Sequence, residues 1–148
     1  MTIKIAFIAG FFDGEGCVSF RKSKNNNGTS FILPAVYITN TNKDILMAIQ
    51  TFYGFGQINQ KKPGNSRSKI HYHYIITKND DILKFLKTIE PYSIIKKSIC
   101  QLGIKTCVMR KKISSKQGTY HNEKYTIQDR ETMFKVYEQA KELNKRGV

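Results

Sequence analysis

The sequence has no tryptophan, and only three cysteines, three prolines and 11 acidic residues among 148. Each scarcity excludes something. Cys17, Cys100 and Cys107 are odd in number and show no C-x-x-C spacing, which argues against a disulfide framework and against a cysteine zinc site. No apolar run approaches the roughly 20 residues needed to cross a bilayer. The apolar opening runs straight into Asp13-Gly-Glu-Gly16 with no small-residue cleavage site, so it does not read as a secretory leader. The chain is expected to be intracellular and reduced. The missing tryptophan accompanies 20 Lys, 19 Ile and 10 Asn, the composition of A+T-rich coding. That points to an organelle (mitochondrion or chloroplast) or a prokaryotic cytoplasm.

The shortage of acid stands against 25 Lys+Arg, for a formal net charge of +14. A domain this basic is expected to meet a polyanion, and nucleic acid leads that list. The excess is spread along the chain: residues 1–74 carry nine bases and three acids, residues 75–148 sixteen and eight. The positive surface must therefore come from the fold and not from a tail. With 40 % apolar residues, the length suits one domain with a real core. The domain spans 1–148, with a core of about 3–112 and a C-terminal loop and helix over 113–148.

Residues 3–12 read as a helix apolar almost all round, ended by Asp13-Gly-Glu-Gly16, whose glycines are free to take positive φ. Alternation over 17–24 and 31–40 predicts a hairpin around Asn25-Asn-Asn-Gly-Thr-Ser30, with Pro34 marking a bulge or an edge. A helix capped at Asn42-Lys-Asp44 follows, ending at Gly54. The pattern then repeats: strands over 55–62 and 69–77, a helix capped by Asn79 or Asp80, and a stop at Pro91. Residues 93–112 predict an amphipathic helix with Cys100 and Cys107 on its buried stripe. Residues 114–125 predict a polar loop, and 126–145 a last helix with Met133, Phe134, Val136 and Tyr137 as its apolar side. Two hairpins pairing into one four-stranded antiparallel sheet, covered on one face by helices, make an α+β fold.

The uncovered sheet face is expected to be polar and basic. It carries Arg21 and Ser23 with Lys24 at the strand end, Tyr37 on the second strand, Gln57, Asn59 and Lys61 on the third, and Lys69, His71 and His73 on the fourth. These side chains suit base edges and phosphates. Strands of eight residues reach about 26 Å, or about 8 base pairs of duplex. Among the few acids of the first half, Asp13 and Glu15 sit together at the end of the apolar helix. Asp13 fits a local cap or turn. A lone carboxylate such as Glu15 in a phosphate-binding protein points to a divalent metal.

Ile8-Ala-Gly-Phe-Phe-Asp-Gly-Glu-Gly16 resembles the LAGLIDADG motif of homing endonucleases. Ala9-Gly10 match outright, Ile8 stands for Leu, Phe11-Phe12 for Leu-Ile, and Glu15 for the second Asp. Ile38–Leu46 resembles the segment after the family's second strand, and Glu90-Pro-Tyr followed by Lys96-Lys97 resembles its proline and catalytic-lysine region. The resemblance covers residues 3–112. It implies the family's αββαββα domain and, with one motif in the chain, a homodimer paired through Phe7, Ile8, Gly10, Phe11 and Asp13. It implies double-stranded DNA as partner and Mg²⁺, or a cation such as Mn²⁺, held by Glu15 with the Gly14 carbonyl. It implies Lys96 as the catalytic basic residue that stabilises charge or positions water, Lys97 as its alternate, and Asn40 near the water network. The expected function is site-specific double-strand cleavage of a long pseudo-palindromic site by an intron-encoded enzyme. An RNA-binding intron maturase, with intron RNA as a partner, and a catalytically silent DNA-binding protein remain as alternatives on the same fold.

Overall fold

The computed structural model describes residues 3–24, 30–114 and 126–145. Of the predicted turn at 25–30 all but Ser30, which opens a strand, and most of the loop at 114–125 lie outside them. Among the described residues five α-helices and four strands follow one another as α1 (Ile5–Glu15), β1 (Gly16–Lys24), β2 (Ser30–Asn40), α2 (Lys43–Tyr53), β3 (Gln57–Lys61), β4 (His71–Ile76), α3 (Asn79–Ile89), α4 (Lys97–Ser114) and α5 (Ile127–Leu143). The strands form one antiparallel sheet in the order β1-β2-β4-β3. No helix among the described residues is long and apolar enough to cross a membrane.

Alternation along the strands decides which face carries the core. Val18 pairs with Val36, Val36 with Ile76 and Ile38 with Tyr74, and all five are buried beneath the helices. Helices α2 and α3 present Leu46, Ile49 and Tyr53, and Ile82, Phe85, Leu86 and Ile89, each set at helical spacing. Phe85 is the hub, edge-on to Phe12 of α1 at 5.6 Å and tilted on Tyr53 at 4.8 Å. Asn42 caps α2 by accepting from the Asp44 and Ile45 amides, and Gly54 ends it with φ of 77°. Cys100 and Cys107 are buried as expected, and burial pushes both thiols up to about 12. At Pro34 the strand has a neighbour on one side only, because β4 pairs with β2 from Val36 onward. Its missing N–H thus falls at a local edge.

Several boundaries differ from expectation. Helix α1 continues through Asp13-Gly-Glu15, so the acidic residues are helical and not a terminating turn. It stops at Gly16, whose φ is −89°, in the ordinary extended region. Gly16 is required for space and not for φ: an added Cβ would lie 2.0 Å from Cδ2 of Phe12. Helix α4 begins at Lys97 and not at 93, after a 3₁₀ turn over Glu90–Tyr92. Neither Asn79 nor Asp80 caps α3. The helix starts from Lys78, and the Asn79 side chain bonds the Cys107 carbonyl and the Arg110 guanidinium instead. On α5 the buried side is Met133, Val136 and Ala140, while Phe134 is exposed.

Candidate functional site

Pairing register lays out the face opposite the helices in rows. His71 sits opposite Lys61; His73 lies between Thr39 and Asn59; Ile75 lies between Tyr37 and Gln57, with Cys17 beyond Tyr37. Farther along, Ser19 faces Ala35, Arg21 faces Leu33 and Ser23 faces Phe31. The expected Arg21, Ser23, Tyr37, Gln57, Asn59, Lys61, His71 and His73 therefore share this face. It is less polar than expected, because Ile75 and Leu33 lie among them beside Ala35. Lys24 and Lys69 depart from the expectation. Lys24 falls on the phase of Val18 and Lys22, and Lys22 packs its ammonium over the Phe134 and Tyr137 rings of α5, on the helix side. Lys69 is exposed but precedes β4.

One contact on this face had no sequence signal. Thr39 Oγ1 lies 2.8 Å from His73 Nδ1 across the sheet, and His73 Nε2 is buried without a partner. Burial, with Lys61 and His71 nearby, holds the His73 imidazole below its ordinary range and favours the neutral ring.

The α1 end of the sheet is built by two residues 83 positions apart. Asp13 is buried, and its carboxylate accepts from Ser93 Oγ (2.5 Å) and from the amides of Ile94 (2.7 Å), Ile95 (3.0 Å) and Lys96 (3.1 Å). It thereby caps the entry to α4, not a local turn. Burial raises the Asp13 pKa, but Ser93 and the three amides more than offset this, so the carboxyl sits below its usual range. In return Lys96 Nζ donates to the carbonyls of Phe12 (3.2 Å), which also accepts the Gly16 amide, and of Asp13 (2.5 Å), in the last turn of α1. A cation there also complements the negative end of the helix dipole. Lys97 lies 3.8 Å from Glu90, a carboxylate shared with Gln101.

Glu15 is exposed one turn from these carbonyls, at the last residue of α1, and Gly14 beside it is exposed too. Asn40 ends β2 at the same end of the sheet, since Gly16 pairs with Ile38. Its side-chain oxygen accepts from the Asn42 amide, which fixes the turn into α2. Among the described residues no three His, Cys, Asp or Glu cluster as a metal cage. The donor set at the α1 end is one carboxylate and one carbonyl.

The outer face of α1 divides the expected interface residues. Phe7 is 48 % exposed and stacks on Phe11 at 6.0 Å, and a Cβ at Gly10 or Gly14 would meet nothing within 4 Å. Ile8 and Asp13 point the other way: Ile8 is fully buried in the chain's own core, and Asp13 holds the α4 entry. Neither side chain is available to a second copy through α1.

Residues 2–90 match the sequence model of the LAGLIDADG-like domain. No curated protein matches the sequence. In fold, the chain is similar to the archaeal intron-encoded homing endonuclease I-Vdi141I complexed with DNA, with 20 % identity, 97 % of this chain and 86 % of that one covered, and a TM-score of 0.76. It is similar to the homing endonuclease I-CvuI in complex with its target in the presence of Ca²⁺, with 15 % identity, coverage of 93 % and 94 %, and a TM-score of 0.59. A third likeness is to I-GzeII in complex with its DNA target, with 20 % identity and a TM-score of 0.66. There 96 % of this chain covers only 44 % of the other.

Proposed function

Because the chain belongs to the LAGLIDADG-like family, we propose that it is a divalent-metal-dependent, site-specific DNA endonuclease that cuts both strands as a homodimer. By analogy with I-Vdi141I it is encoded in an intron, whose spread it promotes. The observation that carries the reading is the convergence of an exposed Glu15 and Lys96 on the C-terminus of the motif helix. The bare Phe7–Gly10–Phe11–Gly14 face supports pairing of two α1 helices, which brings two copies of Glu15 together at the two-fold axis. The match to under half of I-GzeII supports the same reading, since one such unit fills only part of that chain.

The donor set fits Mg²⁺, and Mn²⁺ equally. Mg²⁺ takes one or two carboxylates, keeps several waters, and completes its shell with substrate phosphate oxygens. Glu15 and the Gly14 carbonyl would supply the protein's share. When bound, the ion polarises the scissile phosphate and lowers the pKa of an attacking water. Lys96, held against two carbonyls one turn away, puts an ammonium beside the charge that develops on the phosphate. Asn40 orients water at the strand end. Arg21, Lys61 and His71 fix the duplex through phosphates and base edges, while Tyr37, Gln57 and Asn59 contribute hydrogen bonds that read sequence, and His73, with both ring nitrogens out of reach, supports the face through Thr39.

The test is direct. Purified protein with Mg²⁺ is incubated with the uninterrupted allele of its host gene, with a parallel reaction in EDTA. Double-strand breaks at one position that vanish with EDTA support the reading. Tight binding at one site with no break in Mg²⁺ or Mn²⁺ identifies a silent DNA-binding protein instead.

A further inference from the structure

Two apolar side chains stand on the face that carries Arg21, Tyr37 and Gln57. Ile75 lies on β4, directly opposite Tyr37 of β2 on one side and Gln57 of β3 on the other. Leu33 lies farther out on β2, opposite Arg21 of β1. Tyr74 and Ile76 flank Ile75, Ile32 and Pro34 flank Leu33, and all four flanking residues are buried. Successive residues of a strand point to opposite faces, so Ile75 and Leu33 face away from the helices. Each keeps part of its surface exposed, and neither packs against the buried clusters of the domain. The core therefore does not account for an isoleucine and a leucine at these positions.

We propose that Ile75 and Leu33 are specificity-determining residues that select thymine by covering its C5 methyl in the major groove. This rests on the reading above that the sheet face is the DNA surface. The chemistry of the groove singles out the contact. Guanine, cytosine and adenine display only hydrogen-bond donors and acceptors there, and the C5 methyl of thymine is the one apolar group on show. A phosphate contact needs a donor, which neither side chain has. Covering the methyl removes apolar area from water on both partners. The neighbouring residue agrees. Gln57, paired with Ile75 across β3 and β4, carries an amide that matches N6 and N7 of adenine. Directly opposed residues have Cβ atoms about 5 Å apart, so Gln57 and Ile75 together fit one A·T pair. The composition points the same way: 20 Lys, 19 Ile and 10 Asn mark A+T-rich coding, in which thymine is abundant. Uracil lacks the methyl, so an RNA copy of the same sequence offers Ile75 and Leu33 nothing to cover.

The experiment uses one fragment of the uninterrupted host gene, amplified with either thymidine or deoxyuridine triphosphate. The second duplex keeps every base pair, donor and acceptor and loses only the methyls. Affinity is measured by gel shift with Ca²⁺ in place of Mg²⁺, for the parent and for Ile75→Ala/Leu33→Ala, whose thermal melt checks folding. Each covered methyl is worth about fourfold in affinity, so two contacts in each of two copies compound to the order of 100-fold. The parent is expected to bind the uracil duplex about 100-fold more weakly than the thymine duplex, and the double variant to bind the two within about threefold. Leu33→Ala alone, the milder change, should shrink the parental ratio by about tenfold. Alanine leaves charge untouched, so the slope of log affinity against log salt stays parental. A parent that binds both duplexes equally would overturn this inference alone. A double variant that keeps the parental ratio would overturn it too: if unweakened, the ratio belongs to the altered shape of uracil DNA, and if weakened equally on both, Ile75 and Leu33 only pack the sheet. A parent with no preference for this fragment over unrelated DNA would overturn the DNA reading and this inference with it.

Discussion

Asp13 and Lys96 hold each other twice, each time side chain to backbone. The Lys96 amide donates to the Asp13 carboxylate at 3.1 Å, and the Lys96 ammonium donates to the Asp13 carbonyl at 2.5 Å. One residue caps the start of α4, the other the end of α1. The clasp fixes the crossing of the two helices and sets Lys96 within a turn of Glu15.

Asp13→Asn replaces a charged acceptor of four hydrogen bonds with a group whose NH₂ faces donors. It is expected to cost on the order of 2–3 kcal/mol, read as a lower midpoint in urea. The pH dependence follows from the depressed carboxyl pKa. Stability from ionised Asp13 is fully present above the ordinary carboxylate range and is lost as the pH falls through the lower, folded value. The gap between parent and variant should therefore stay constant above about pH 4 and close below it. A gap that narrows instead between pH 6 and 8 would contradict this.

Glu15→Gln keeps size and removes charge. Cleavage in Mg²⁺ is expected to fall by about 100-fold or more, with affinity for the site retained because the sheet face is untouched. Gel shift and cleavage on the same substrate separate the two effects. Parental cleavage by the variant would end the assignment of Glu15 as metal ligand.

Gly16→Ala sets a methyl against the Phe12 ring, which has Phe85 on its other side. A loss of roughly 1–3 kcal/mol is expected. Phe12→Leu/Gly16→Ala should recover part of the loss relative to the sum of the single changes, measured as a double-mutant cycle.

Gly10→Leu separates the two roles of the motif helix. Inside one chain a Cβ at this position meets nothing within 4 Å. The melt of the monomeric variant should match that of parent diluted below its dissociation constant, while the dimer weakens strongly through overpacking. A variant that unfolds at every concentration would place Gly10 inside the chain's own core.

Lys61→Ala should flatten the dependence of log affinity on log salt by about 1, as for one lost phosphate contact. Its register opposite His71 puts it at the end of the face nearest the α1 helix row. Filter binding from 50 to 200 mM salt measures the slope, and an unchanged slope would remove Lys61 from the interface.

The strands were legible because one buried face imposes a strict two-residue period. Val18, Val36, Ile38, Tyr74 and Ile76 announce it, and their odd-numbered neighbours on β1 and β2 give the opposite face. The motif singled out Glu15, which stands exposed at the last residue of α1. The facing of α1 was not legible: a helix apolar all round has no phase, so Ile8 and Phe7 looked alike, though one is fully buried and the other half bare. Asp13 misled for a different reason. Capping rules are local, and its partners lie 80 to 83 residues away. Lys24 and Lys69 failed at strand ends, where alternation loses its hold. The bond from Thr39 to His73 needed a register that no single strand encodes.

The clasp also sets a timetable. On the ribosome, Asp13 emerges long before Ser93 to Lys96 exist. At ~5–20 residues per second the wait is about 4–16 seconds. Throughout it, the segment from Ile5 to Glu15 has neither the Asp13 carboxylate met by amides nor its last carbonyls met by a lysine. Neighbouring nascent chains on one message carry the same exposed segment at close range. Premature pairing of two such helices, before either has a domain to cover its inner side, is the misfolding route this topology invites. The glycines at 10 and 14, poor helix formers both, lower the helix propensity of the segment while it waits. Closure by residue 96 thus completes the end of α1 only late in synthesis.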